Sequence, residues 1–161
     1  MTVPCTSTVT LRAVDPVVER GLLMRLYTGA RAQEFAALPA DQRDGLLALQ
    51  YEAQDRAITG TTPEATRAVI EVEGAPVGLL VVDRTTTEIR LVDVTLLPEA
   101  RGAGIGTALL TALIDESHST QRPVTLHVAH GNPARALYER LGFRVVATGG
   151  AHDRLEYKET Q

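Results

Sequence analysis

Apolar and polar residues alternate along residues 8–13 (TVTLRA), the two-residue period of a strand covered on one face. Asp15-Pro16 then offers a helix start ahead of VVERGLLMRLY, because Asp favours the position before a helix and Pro its first turn. A second helical pattern opens near Pro39-Ala40-Asp41 and continues through DGLLALQYEAQDRAI. Leu46, Leu49, Ala53 and Ala57 fall on one apolar stripe of it, with Gln50 and Gln54 on a neighbouring polar one, and GTTP at 60–63 ends the helix. Two β-branched runs follow, ATRAVIEVEG and APVGLLVVDR, separated by Gly74-Ala75-Pro76, which predicts an antiparallel hairpin with a tight turn. Residues 88–97 (EIRLVDVTLL) continue the meander as a third strand.

The pattern then changes to strand, helix, strand: residues 88–97, a helix over 106–116, and residues 124–129 (VTLHVA). A crossover of that length implies that the two strands run parallel. The last helix is strongly marked, with Asn132 as N-cap, Pro133 at the first position, Ala134, Leu137 and Leu141 on one face, and Gly142 as terminator. Phe143 packs back, and RVVATG and RLEYK close the sheet. The expectation is one α/β (α+β) domain over 1–161 with its core at about 8–158, built on a mixed sheet of about six to seven strands flanked by about four helices. Its N-terminal half is antiparallel, and a parallel pair surrounds the helix at 106–116.

Composition narrows the partners. A net charge of −4 over 161 residues, without a basic cluster, argues against nucleic acid. Cys5 is the single cysteine, which excludes an internal disulfide and a metal site built on thiolates, and points to a reducing, cytoplasmic compartment. The start MTVPCTSTVT lacks a basic and apolar leader pattern, and VGLLVV at 77–82 is too short to span a bilayer, so a soluble protein without a membrane partner is expected.

Candidate chemistry centres on RGAGIG at 101–106, directly ahead of the apolar pattern ALLTALI. A dinucleotide fingerprint needs a third glycine where Thr107 stands, and a P-loop needs a lysine that this loop lacks. A plain glycine-rich turn is the remaining bland alternative. Residues 97–106 (LPEARGAGIG) together with 132–143 (NPARALYERLGF), in that order and separated by one helix and one strand, resemble the GCN5-related N-acetyltransferase (GNAT) family. The family's pyrophosphate loop, Arg/Gln-x-x-Gly-x-Gly/Ala, is matched by Arg101, Gly104 and Gly106. The resemblance implies a GNAT-like sheet, acetyl-CoA as cosubstrate, and no metal. It also implies that Gly102, Ala103, Gly104, Ile105, Gly106 and Thr107 hold the pyrophosphate and that Val94, Thr95 and Leu96 pair their backbone with the pantetheine arm. A helix N-terminus suits that ligand physically, since its first N–H groups are unpaired and carry partial positive charge. Arg101 is expected to support the loop and add charge.

Acetyl transfer to an amine needs a base, a donor for the oxyanion and an acid for the leaving thiolate. Within LYERLGF, Tyr138 matches the tyrosine that the family commonly uses to protonate the thiolate; its alternative is an ordinary core aromatic. His127 stands where some members carry a glutamate base, and its ordinary pKa near 6.5 suits the task. Glu88 and Asp93 on the preceding strand are its rivals, and a half-buried structural histidine is the alternative. The resemblance places the oxyanion donor at a backbone N–H near Leu96. Asn132 lies six residues before Tyr138 where many relatives have seven, so it is either a cofactor contact or only a helix cap. Tyr27, Glu34, Gln50, Tyr51, Gln54, His152 and Asp153 are the acceptor-side candidates, and the acceptor is an amine, with a small molecule favoured over a protein. A non-catalytic coenzyme-binding module and a structural or dimerising domain are the competing functions, and a homodimer is compatible with each.

Overall fold

The alternating start of the chain becomes β1 (Val9–Ala13), which pairs antiparallel with β2 (Thr66–Val72), Val9 opposite Val72 and Ala13 opposite Ala68. The computed structural model describes residues 8–159; Cys5 lies outside them. Helix α1 (Arg20–Arg31) starts later than the Asp15-Pro16 signal predicts. Asp15 Oδ1 accepts the N–H groups of Val17 at 2.8 Å and Val18 at 3.1 Å, which folds that segment into a turn and leaves both valines exposed. After a 3-10 turn at Ala32–Phe35, helix α2 (Ala40–Thr61) opens at Pro39 as expected.

The stripe expected on α2 is not the one it buries. Leu49 is 70% exposed and Ala53 and Ala57 face solvent, whereas Leu47 and Tyr51 are buried. Tyr51 packs edge-to-face on Tyr27 of α1, ring centroids 5.6 Å apart, and this large aromatic contact sets the helix rotation that small alanines cannot. The hairpin also differs by two residues. Glu73 and Gly74, with φ of 51° and 81°, form the turn, and Ala75 and Pro76 already belong to β3 (Ala75–Arg84).

β4 (Ile89–Leu96) leads through a short 3-10 turn into α3 (Ile105–Thr120), and β5 (Val124–Ala129) follows over the residues expected. β4 and β5 are parallel, with Ile89, Arg90 and Leu91 opposite Val124, Thr125 and Leu126. Helix α4 (Arg135–Arg140) begins three residues after Asn132, because Asn132 and Ala134 first close tight turns, and it ends at Gly142 with φ of 99°. β6 (Arg144–Gly149) and β7 (His152–Tyr157) complete the sheet, but β7 lies between β5 and β6 and is antiparallel to both. All six residues of β6 are exposed, and its register slips between Val145 and Ala147. The hydrogen-bonded order is β1-β2-β3-β4-β5-β7-β6, a mixed sheet of seven strands flanked by four α-helices.

The chain packs as two units, residues 8–81 with 93–103, and residues 82–92 with 104–159. The first buries Leu23, Leu26, Tyr27, Tyr51, Val69 and Leu79 around α1 and α2. In the second, Ile89, Leu110, Leu113, Leu126, Val128 and Leu155 are nearly inaccessible, and each contributes about 1.5–3 kcal/mol. Among the described residues no helix is long and apolar enough to cross a membrane.

Candidate active site

The glycine loop sets up the N-terminus of α3. Gly102 and Gly104 have φ of 73° and 82°, conformations that only glycine adopts readily, and no atom lies within 4 Å of where a Cβ on either would sit. Gly104 is the residue ahead of α3 and no side chain caps the helix there; Ala108 N–H makes the first helical bond, to Gly104 O at 3.0 Å. The N–H groups of Ile105, Gly106 and Thr107 therefore project from a positively polarised helix end into a loop cleared of side chains. Gly106 is tighter, since a Cβ there would meet Leu137 Cδ2 at 3.3 Å.

Arg101 holds the loop in place. Its Nε donates to Leu96 O at 3.2 Å and its Nη2 to Ala30 O at 2.7 Å, so the guanidinium braces β4 against the end of α1. Within β4, Thr95 is buried and donates its hydroxyl to Asp93 Oδ2 at 3.1 Å. Gly78 of β3 approaches so closely that a Cβ there would lie 2.1 Å from Thr95 O. Sequence reasoning passed over Gly78, because a glycine inside an apolar run carries no sign of the backbone opposite it.

Asp93 borders a small cavity of about 30 Å³ in the first unit, together with Tyr27, Tyr51, Gln54 and the Arg67–Asp55 ion pair. Burial pushes the Asp93 carboxyl above its ordinary value, outweighing the hydrogen bonds from Thr95 and Gln54 and the attraction of Arg31 and Arg67. The structure thus brings Tyr27, Tyr51, Gln54 and Asp93 together. Glu34 is exposed and sits 3.9 Å from Arg31, whose guanidinium lies over the Tyr27 ring.

In the second unit Glu88 is fully engaged. It accepts from Thr125 Oγ1 at 2.7 Å, Arg90 Nη2 at 2.9 Å and Arg154 Nη2 at 3.0 Å. Burial works to raise its pKa, but these partners outweigh it and hold the carboxyl below its ordinary value, which makes Glu88 a poor base. His127 alternates with buried Leu126 and Val128 and is exposed. Partial burial, followed by the charges of Arg90 and Arg154 and the neighbouring His152, holds it below the usual imidazole value against the opposing pull of Glu88. A histidine in that state is neutral, and so basic, at neutral pH.

Tyr138 is buried on α4 with its ring edge-to-face on Phe143, centroids 5.9 Å apart, and Phe143 in turn meets Tyr157. Asn132 Oδ1 accepts the Ala134 N–H at 2.9 Å, an Asx turn ahead of α4; the N-cap of that helix is Ala134, without a side-chain cap, and not Asn132 as the sequence suggests. Asp153 is buried and bound to His130 at 3.0 Å and Arg135 at 2.6 Å; His130 first and Arg135 second hold its carboxyl below the ordinary value. That triad joins residues up to 23 positions apart, a separation at which no sequence pattern links them. His152 beside it is exposed. Among the described residues no group of three or more His, Cys, Asp or Glu could hold a metal ion.

Comparison with known proteins agrees with this architecture. The sequence model of the acetyltransferase (GNAT) domain family matches residues 63–145, more than half of the chain. The structure is similar to the PaiA N-acetyltransferase of Thermoplasma acidophilum in complex with coenzyme A: TM-score 0.69, 15% identity, 94% of this chain and 99% of that one covered. It is similar to an acetyltransferase from Thermus thermophilus, with TM-score 0.69, 21% identity and coverage of 94% and 97%. A third likeness is to yncA from Salmonella typhimurium with its cofactor acetyl-CoA, at TM-score 0.55, 23% identity and 93% of each chain. With the family model matched from β2 into the first two residues of β6, over more than half of the chain, and the fold shared with solved acetyltransferases, the chain belongs to the GNAT acetyltransferase family and is an acyltransferase.

Proposed function

We propose that this enzyme transfers the acetyl group of acetyl-CoA to a primary amine of a small molecule, acting as a single acetyltransferase domain. The observation that carries it is the uncapped start of α3 behind Gly102 and Gly104, a set of free N–H groups at a positive helix end with no side chain in the way. Such a cradle fits a diphosphate, and solved relatives of this fold carry coenzyme A or acetyl-CoA.

The loop residues 102–107 bind the pyrophosphate through backbone N–H groups, with Arg101 as their brace. Val94, Thr95 and Leu96 offer β4 backbone to the pantetheine arm beyond the last pair of the parallel ladder, and a backbone N–H near Leu96 serves the oxyanion. The bound thioester supplies an activated acyl group. His127 takes the proton of the attacking amine, and Tyr138 gives a proton to the departing thiolate. Asn132 shapes the turn ahead of α4, its Oδ1 engaged with the Ala134 N–H.

Release of free thiol from acetyl-CoA across a panel of amines tests the proposal. Turnover with a product acetylated on nitrogen is expected; coenzyme binding without turnover of any amine would leave a binding module instead. Tyr138→Phe is expected to lower kcat by about 100-fold with little change in coenzyme affinity. Unchanged turnover would remove Tyr138 from the chemistry. The pH profile tests His127. A base must be unprotonated to act, so kcat/KM falls as the pH drops through its pKa. Because His127 is held below the ordinary value of about 6.5, the midpoint of that fall lies below pH 6.5. His127→Ala is expected to lose that acidic limb and keep coenzyme binding; a limb that persists in the variant belongs to another group.

A further inference from the structure

The ladders of the second unit set five polar residues on adjoining strands. Arg90 stands opposite Thr125 in the β4–β5 pair, and His127 opposite Arg154 in the β5–β7 pair. Glu88 Oε1 accepts from Arg90, and Glu88 Oε2 accepts from both Arg154 and Thr125. Two guanidiniums share one carboxylate, and the hairpin closed by Thr85 N–H and Glu88 O places Asp83 of β3 across from Arg90 as a second acid. Glu156 and Arg144, opposite one another in the next ladder, add one acid and one base. His152 is exposed nearby.

Exposure divides the cluster. The Glu88 side chain is 15% exposed, while those of Arg90 and Arg154 are 36% and 35% exposed, so the anion lies beneath and the cations reach solvent. Each guanidinium bonds Glu88 through a single terminal nitrogen, which leaves the rest of its donor fork uncommitted. Arg90 Nε is buried and has no hydrogen-bond partner among the described residues, an arrangement that costs free energy until an acceptor arrives.

We propose that Arg90 and Arg154 recognise a carboxylate on the acceptor, and that the substrate is a small amino acid or another primary amine carrying a carboxylate a few bonds from its nitrogen. This inference rests on the acetyl-transfer function proposed above. Planar guanidinium forks match a planar carboxylate geometrically, two donors to its two oxygens. Cross-strand neighbours sit about 5 Å apart, so a carboxylate held at Arg154 leaves an amine two or three bonds away within reach of His127. A diamine or polyamine offers the two guanidiniums no acceptor.

Matched acceptors test the assignment: an amino acid, its carboxamide, the decarboxylated amine and an amine of the same length bearing phosphate. Wild-type enzyme is expected to show kcat/KM higher for the amino acid by about tenfold or more. Equal or better use of the carboxamide, the decarboxylated amine or the phosphorylated amine would overturn the proposal. Arg154→Gln is expected to bring the ratio of amino acid to decarboxylated amine close to one, with Arg90→Gln as the second variant should the first fail to fold. A merely structural arginine would lower both substrates alike and keep the ratio, which would also overturn it. An NMR titration of the His127 ring gives a readout free of turnover. Adding the desamino acid, which brings the carboxylate without an ammonium, should raise the His127 pKa in wild type, because a bound anion offsets the guanidinium charge, and should not do so in Arg154→Gln. No change in wild type would defeat carboxylate recognition even if acetyl transfer occurs. A rise without thiol release from any amine would support the carboxylate site while defeating the transferase function.

Discussion

Replacing Gly104 with valine is expected to abolish acetyl-CoA binding while leaving the protein folded. Gly104 has φ of 82°, where a residue with a side chain is strained by about 1–2 kcal/mol. No atom lies within 4 Å of the added Cβ, so backbone strain is the main loss expected in the free protein. The ligand meets a different situation. A branched side chain at the mouth of α3 occupies the volume through which phosphate oxygens approach the helix N–H groups, and each charge-assisted bond lost costs about 1.5–3 kcal/mol. Thermal unfolding with and without acetyl-CoA checks both halves. Wild type at 100 times its dissociation constant gains about 2.7 kcal/mol, and the variant should gain none. A variant stabilised as much as wild type would show that the coenzyme binds elsewhere.

The second large effect is expected at Gly78, which touches no ligand. A methyl group there would sit 2.1 Å from the carbonyl oxygen of Thr95 and 3.2 Å from Leu96 Cα, both backbone atoms that no rotamer change can move aside. Gly78→Ala must push β4 away from β3, and it weakens the neighbouring bond from Leu97 N–H to Val77 O, now 2.8 Å. Overpacking of this kind costs about 3 kcal/mol, a large share of the stability of a domain. A fall in Tm of about 10 °C is the expected reading by circular dichroism. The same displacement shifts the Thr95 and Leu96 backbone offered to the pantetheine arm, so coenzyme affinity should fall with stability. A variant that melts within about 2 °C of wild type would show that the two strands separate at little cost.

Much of this architecture was legible because it rests on local chemistry. β5 is a β-branched run bounded by Pro123 and Gly131, and Gly142 stops α4 because only glycine accepts its left-handed backbone. The strand, helix, strand rhythm around RGAGIG dictated the parallel pair. What escaped depends on partners distant in the chain. The rotation of α2 is set by Tyr51 meeting Tyr27, and the tighter alanine spacing carried no such information. The place of β7 between β5 and β6 is a choice of ladder partner that alternation alone leaves open. Nothing in the sequence around Glu88, a candidate base, points to Arg154, 66 residues away, whose Nη2 bonds its carboxylate. The loop was readable, while the surroundings of each ionisable group were not.

β6 ends the sheet as an edge strand, with Val145 and Val146 exposed along it. A flat apolar edge of that kind would invite a passing chain to add a further strand, the first step of aggregation. The slip between Val145 and Ala147 breaks the regular spacing of backbone donors and acceptors over the stretch where the valines lie. The strand is also only six residues long, which leaves few consecutive bonds on either side of the irregularity. Shape therefore guards this border along the two valines: the apolar surface stays open, but the template that would let another strand exploit it is interrupted.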